Sequence, residues 1–169
     1  MGPGTRLAAC LAALAVAVAA LVAFGGGDAA TSAESAPAAE RDALAQTAKV
    51  QGAPKRELVL SRVVVPPGAK LALHHHLGTQ IARIESGVLT YTVQEGSVVV
   101  RRGPSDANPT VVRTIESGQT GRIGAGQWIV EQPSDIHRAA NNGGKPVVIY
   151  IATLLKAGAP PATPVEPGG

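Results

Sequence analysis

The chain reads as an all-β protein, and three observations point that way. Short runs rich in Val, Ile, Leu and Thr recur between turns marked by Gly, Pro and Ser. One of them alternates strictly: Leu89, Tyr91 and Val93 fall on one face and Thr90, Thr92 and Gln94 on the other, the period of a half-buried strand. No long amphipathic helical pattern competes. Nine runs follow in order. The run 57–65 ends at Pro66-Pro67-Gly68, and 70–75 and 80–85 are closed by turns at Leu77-Gly78 and Ser86-Gly87. After 88–94, Glu95-Gly96 turns the chain into 97–102, and 103–108 is a polar loop. The runs 110–115, 119–123, 127–131 and 146–155 complete the set. Short strands at this spacing predict a sandwich or barrel.

Composition narrows the function classes. The chain has 169 residues, with 15 Lys+Arg against 12 Asp+Glu and a net charge of +3. No basic run exceeds Arg101-Arg102, and aromatics make up 2%, so neither the charge stripe nor the stacking surface of a nucleic-acid binder is present. The single cysteine, Cys10, excludes an internal disulfide and a thiolate zinc site. The core must be aliphatic, which makes Tyr91 and Trp128 candidate anchors of a core or substrate pocket.

The ends read differently from the middle. Arg6 precedes an unbroken apolar run at 7–24, followed by Gly25-Gly26-Gly27. This is the pattern of a secretory signal, assigned to 1–33, with an uncleaved membrane anchor as its rival. Either way the domain is expected outside the cytoplasm, secreted, periplasmic or membrane-anchored, and bacterial. Membrane contact is expected only if the segment stays attached. Residues 34–55 read as a linker, with a helix-capable piece at 37–49. Residues 158–169 read as a disordered Pro/Gly-rich tail. The folded domain is then 56–157, large enough for one modest core.

The chemistry lies in four histidines. Residues i and i+2 share a face of a strand, so His74 and His76 point together and His75 points away. Two imidazoles on one face near a turn make a chelate for a divalent transition metal. Gln80 opens the next run beside them. His137 follows the turn Pro133-Ser134-Asp135, and spacing alone does not bring it to the pair.

The pattern Gly68, five residues, His74-x-His76, three residues, Gln80, six residues, Gly87 resembles the first motif of the cupin superfamily. Gly126 to His137, then Asn141, resembles the second, with Pro133 one place late and Asp135 replacing or displacing that motif's glycine. The resemblance spans about 56–157 and implies a jelly-roll β-barrel with a metal in its mouth. It implies His74, His76, Gln80 and His137 as ligands to Fe, Mn, Ni or Zn. It also gives Gly68, Gly87 and Gly126 turns that need positive φ. The family usually has Glu where Gln80 stands. A neutral amide leaves the cation's charge intact and cannot act as a base. Such a site favours an anionic or oxygen-rich small molecule and Lewis-acid chemistry. Tyr91 and Glu131 are the groups that could approach as a base. Isomerase or lyase chemistry and dioxygenase chemistry both remain open, as does a non-catalytic metal- or sugar-binding barrel. Catalytic residues are not assigned. A homodimer through the edges of the runs 58–65 and 147–155 is the expected assembly.

Overall fold

The computed structural model describes residues 37–166; the expected signal or anchor at 1–33 lies outside the described residues. Twelve strands and no helix occur among the described residues. They are β1 (Glu40–Thr47), β2 (Arg56–Val65), β3 (Lys70–His75), β4 (Gly78–Ser86), β5 (Val88–Glu95) and β6 (Ser97–Arg102), then β7 (Thr110–Glu116), β8 (Thr120–Gly124), β9 (Gln127–Glu131), β10 (Ile136–Ala140), β11 (Val147–Lys156) and β12 (Thr163–Pro164).

The strands form two antiparallel sheets. One has seven strands in the order β1-β2-β11-β4-β9-β6-β7, the other five in the order β12-β3-β10-β5-β8. Both are crossed by long connections, as in a jelly roll. Alternation explains which side chains enter the space between them. On β5, Leu89, Tyr91 and Val93 are buried, as the sequence pattern predicts. On β4 the inward set is Gln80, Ala82 and Ile84, and on β9 it is Gln127, Ile129 and Glu131. The core is aliphatic apart from Tyr91, and Val65, Val93, Val100 and Val147 are wholly enclosed. Gly68, Gly87 and Gly126 have φ of 79°, 81° and 76°. At Gly87 a Cβ would lie 2.8 Å from the Pro146 carbonyl oxygen, so both backbone conformation and space require glycine.

Three features differ from the sequence reading. The linker at 34–55 contains β1, which pairs with β2 from Glu40↔Val64 to Thr47↔Leu58. Its residues, ERDALAQT, favour a helix by propensity. The open edge of a ten-residue β2 offers a full ladder of backbone partners, and that outweighs propensity. The tail at 158–169 is likewise tied down in part: Thr163 and Pro164 pair with His75 and His74, and Val165 N–H donates to the Leu73 carbonyl. Pro164 is tolerated there because β12 is an edge strand. Finally, β2 and β11 are not edges. The latter pairs with β2 on one side and β4 on the other, and β2 is covered by β1, so neither strand has a free ladder for a dimer contact.

Candidate metal centre

His74, His76 and His137 come from two parts of the chain, the end of β3 and β10, and meet in one cavity between the sheets. On β3, alternation from the inward Leu71 would turn His74 outward. The β3–β10 register corrects this. Ala139 pairs with Leu71 and His137 with His74, so β3 carries one extra residue across a bulge and His74 comes round to the inner face. His137 sits opposite His74 because β10 lies between β3 and β5. His76 follows the end of β3. His75 pairs with Thr163 and is not part of the cluster.

The ligand atoms of the three imidazoles all lie within 4.8 Å of one another. Their ring centroids are 4.4 to 5.1 Å apart. His74 Nδ1 donates to the Ala72 carbonyl at 2.7 Å, and His76 Nδ1 donates to the Pro161 carbonyl at 2.7 Å. A carbonyl can only accept, so both rings carry their proton on Nδ1 and present the Nε2 lone pair to the cavity. Such a backbone partner is the usual means of fixing a ligating imidazole. The donor set therefore fits a divalent ion: three ring nitrogens converge and two of the rings are oriented from behind, while His137 Nδ1 is buried without a partner.

Burial keeps two of the rings, His137 and His76, neutral. Burial lowers the pKa of His137 to about 4, against the raising effect of Glu131. Burial also lowers that of His76, again opposed by Glu131. Both are available as ligands at neutral pH without first losing a proton.

Glu131 is the group that motif reasoning does not reach. It is 3% exposed and projects from β9 directly opposite Gln80. Its Oε1 accepts the Tyr91 hydroxyl at 2.7 Å and lies 3.2 Å from His137 Nε2. Its Oε2 accepts from Gln80 Nε2 and lies 3.7 Å from His76 Nε2. Burial alone would raise its pKa. His137, His76 and the hydrogen bonds from Tyr91 and Gln80 outweigh that and hold the carboxyl below its ordinary value. Its sequence signal was available: an acid sharing the inner face of β9 with Ile129, where a charge needs a reason.

The remaining candidates separate. Gln80 is buried in the cavity; its Nε2 lies 2.7 Å from His76 Nε2, and its Oε1 has no partner. Tyr91 is buried too, stacked on His137 with ring centroids 5.0 Å apart. Burial and the neighbouring Glu131 push its hydroxyl pKa far up, so it acts as a hydrogen-bond donor. Trp128 is not in this pocket. Alternation along β9 sends it to the outer face, where its indole N–H donates to the Gly103 carbonyl at 2.9 Å and Arg101 lies over the ring. Asp135, which follows Pro133-Ser134 in the irregular part of the second motif, accepts the Gln132 N–H at 2.7 Å and closes the turn before β10. Asn141 donates to the carbonyls of Val65 and Lys145 and accepts from Gly143 N–H, which makes it a turn residue.

The cavity is small, about 50 Å³, with an aliphatic floor and Arg41 of β1 among its lining residues. That is room for an ion with a water or two, since a water occupies roughly 30 Å³.

Compared by sequence, the chain matches no family model and no curated protein. Compared by structure, it is similar to a cupin 2 domain-containing protein from Halorhodospira halophila, at TM-score 0.50 and 12% identity, over 76% of this chain and 71% of that one. It is also similar to the DMSP lyase DddQ from Ruegeria pomeroyi (TM-score 0.47, 15% identity, 66% of this chain). A third likeness is to Bacillus subtilis oxalate decarboxylase (TM-score 0.45, 19% identity, 64% of this chain). The chain spans 45% of the lyase and 24% of the decarboxylase. The fold is that of a cupin barrel, and the cavity between its sheets carries a three-histidine group able to hold a metal.

Proposed function

We propose that this chain is an exported metal-binding cupin that handles a small anionic or oxygen-rich molecule at a divalent transition metal. One observation carries the reading: three imidazoles from two distant segments, the end of β3 and β10, direct their ligand atoms into a single cavity. His74, His76 and His137 would hold the ion. A bound divalent ion supplies Lewis acidity, polarising an oxygen of the ligand. The chain's own groups do the rest. The aliphatic floor excludes bulk water. Arg41 at the cavity offers positive charge to an anion. Tyr91 keeps its proton and orients Glu131. Lyase or isomerase chemistry and dioxygenase chemistry fit this arrangement equally. Export is supported by the apolar run at 7–24 behind Arg6.

The cavity volume of about 50 Å³ favours a second reading, a barrel that holds its metal without turnover. Metal content by mass spectrometry, on the purified chain and a His74→Ala/His137→Ala variant, tests the shared premise. One equivalent of Fe, Mn, Ni or Zn in the parent and none in the variant is the expected result. Failure of the parent to take up any of the four, even after reconstitution, would overturn both readings. Metal identity then ranks oxygen chemistry (Fe) against Lewis-acid chemistry, and turnover separates enzyme from binder.

A further inference from the structure

Gln80 stands where the resemblance expects the site's carboxylate, yet the cavity does contain one, directly across the β4–β9 ladder at Glu131. We infer that Glu131 is the anionic metal ligand of this chain, and that Gln80 is the positioning residue that aims it. The inference rests on the metal-binding reading above.

The distances carry it. Two ligand atoms each about 2.1 Å from one ion, at tetrahedral or octahedral angles, lie roughly 3.0–3.4 Å apart. His76 Nε2 and His137 Nε2 are 3.3 Å apart, and Glu131 Oε1 is 3.2 Å from the latter. Its other oxygen is 3.7 Å from His76 Nε2. Lone pairs that close repel unless a proton or a cation lies among them. A carboxylate buried to this degree is also costly without a close counter-charge; the side chains touching it are a phenol, an amide and two imidazoles, and Arg41 acts on it electrostatically without a hydrogen bond. A divalent ion between Glu131 and the imidazoles resolves both problems.

The orientation of Gln80 follows from the same network. Pro161 takes the Nδ1 proton of His76, so His76 Nε2 is an acceptor. Gln80 therefore turns its amide nitrogen, not its oxygen, toward His76 and Glu131. Its Oε1 points away and is left buried without a partner. In that pose Gln80 offers the centre donors only; an ion on His76 Nε2 would take the lone pair that accepts from Gln80 and leave the amide its bond to Glu131. The family's ligand position and the residue across the ladder have exchanged roles: the carboxylate sits on β9 and the amide that holds it on β4.

The test is a Mn(II) titration of the metal-free full chain, following free Mn(II) by electron paramagnetic resonance and the bound coordination by the Co(II) visible spectrum. The variants are E131Q, E131D, Q80E and the exchange Q80E/E131Q, with His137→Ala as the control for the site. The parent should bind one equivalent and His137→Ala none. E131Q should bind at least about tenfold more weakly with an altered Co(II) spectrum. The exchange variant, which returns a carboxylate to β4, should recover most of the loss. If E131Q does not fold, E131D keeps the charge but shortens the reach, and its weakened binding with a shifted spectrum carries the same conclusion. Parent-like affinity and spectrum in E131Q, or in E131D where E131Q does not fold, would overturn the inference while leaving the histidine site intact. A parent that binds neither Mn(II) nor Co(II) would overturn the metal-binding reading itself, and this inference with it.

Discussion

Two cavities of this barrel invite comparison. The groove on the outer face of the five-stranded sheet is about 820 Å³ and is lined by Lys70, Thr90, Thr92, Gln94 and Arg138 among others. The cavity between the sheets is about 50 Å³ and holds three histidines, Gln80, Tyr91 and Glu131. The same strands, β3, β5 and β10, line both, one face each. The outer face is large, solvated and made of side chains that water already satisfies. The inner face is small, and its polar groups satisfy one another or go unpaired. Chemistry is concentrated where lone pairs converge out of water, because interactions there are stronger and an unmet group is costly. Volume by itself marks neither.

The comparison can be broken most directly at His137. His137→Ala should abolish metal binding. It should also abolish the rise in melting temperature that metal gives the parent, which reflects a stabilisation of about 2.7 kcal/mol at a hundredfold excess over Kd. Thermal melts with and without Mn(II) check it, and a metal-induced shift that survives would place the ion elsewhere.

Acid should act on the inner cavity. His137 titrates at about 4 in the fold against 6.5 in the unfolded chain. Between those values the unfolded chain takes up a proton that the fold refuses. Stability of the metal-free chain should therefore fall as pH drops from 6.5 to about 4, by on the order of 3 kcal/mol. Glu131, held below its ordinary value, adds a further loss below about 4.5, in the same direction. Urea unfolding across that range measures the slope, and a flat profile would mean that His137 is charged in the fold.

Ending the chain at Ala159 removes the Pro161 carbonyl that orients His76, together with β12. Metal affinity should fall about 10–100-fold, as when an orienting partner of a ligand is lost. A calorimetric titration on the shortened chain decides it; unchanged affinity would make β12 mere packing. Tyr91→Phe withdraws one donor from the buried carboxylate and should destabilise the metal-free chain by about 1–3 kcal/mol. Bound metal should offset part of that loss, which urea curves with and without Mn(II) would show. Smallest of all, Arg138→Ala in the outer groove should change stability by less than about 0.5 kcal/mol and leave metal affinity as it was. A clear loss of affinity there would show that the two faces are coupled.

Legibility in the sequence divides along the same line. The nine runs correspond to strands because period-2 alternation is a property of adjacent residues, and it survives in β5, β6 and β9 whatever they pair with. The spacing of His74 and His76 is local in the same sense. Strands β1 and β12 were not legible, since a helix-prone segment and a proline-rich tail become strands only when an open edge recruits them. Trp128 was misplaced for lack of a strand parity tied to the barrel. His74 faces inward only through a bulge, and a bulge is a relation between β3 and β10.

What the chain determined by itself is therefore short-range: strand periods, turn glycines, the pair of imidazoles, and the amide at Gln80 in place of an acid. What only the tertiary structure decided is long-range. It brought His137 to the pair, set Glu131 opposite Gln80, and placed the Pro161 carbonyl behind His76. The reason is physical. A ligand set is a matter of distances of a few ångströms between atoms 50 to 90 residues apart, and those distances come from sheet register, which no local pattern encodes.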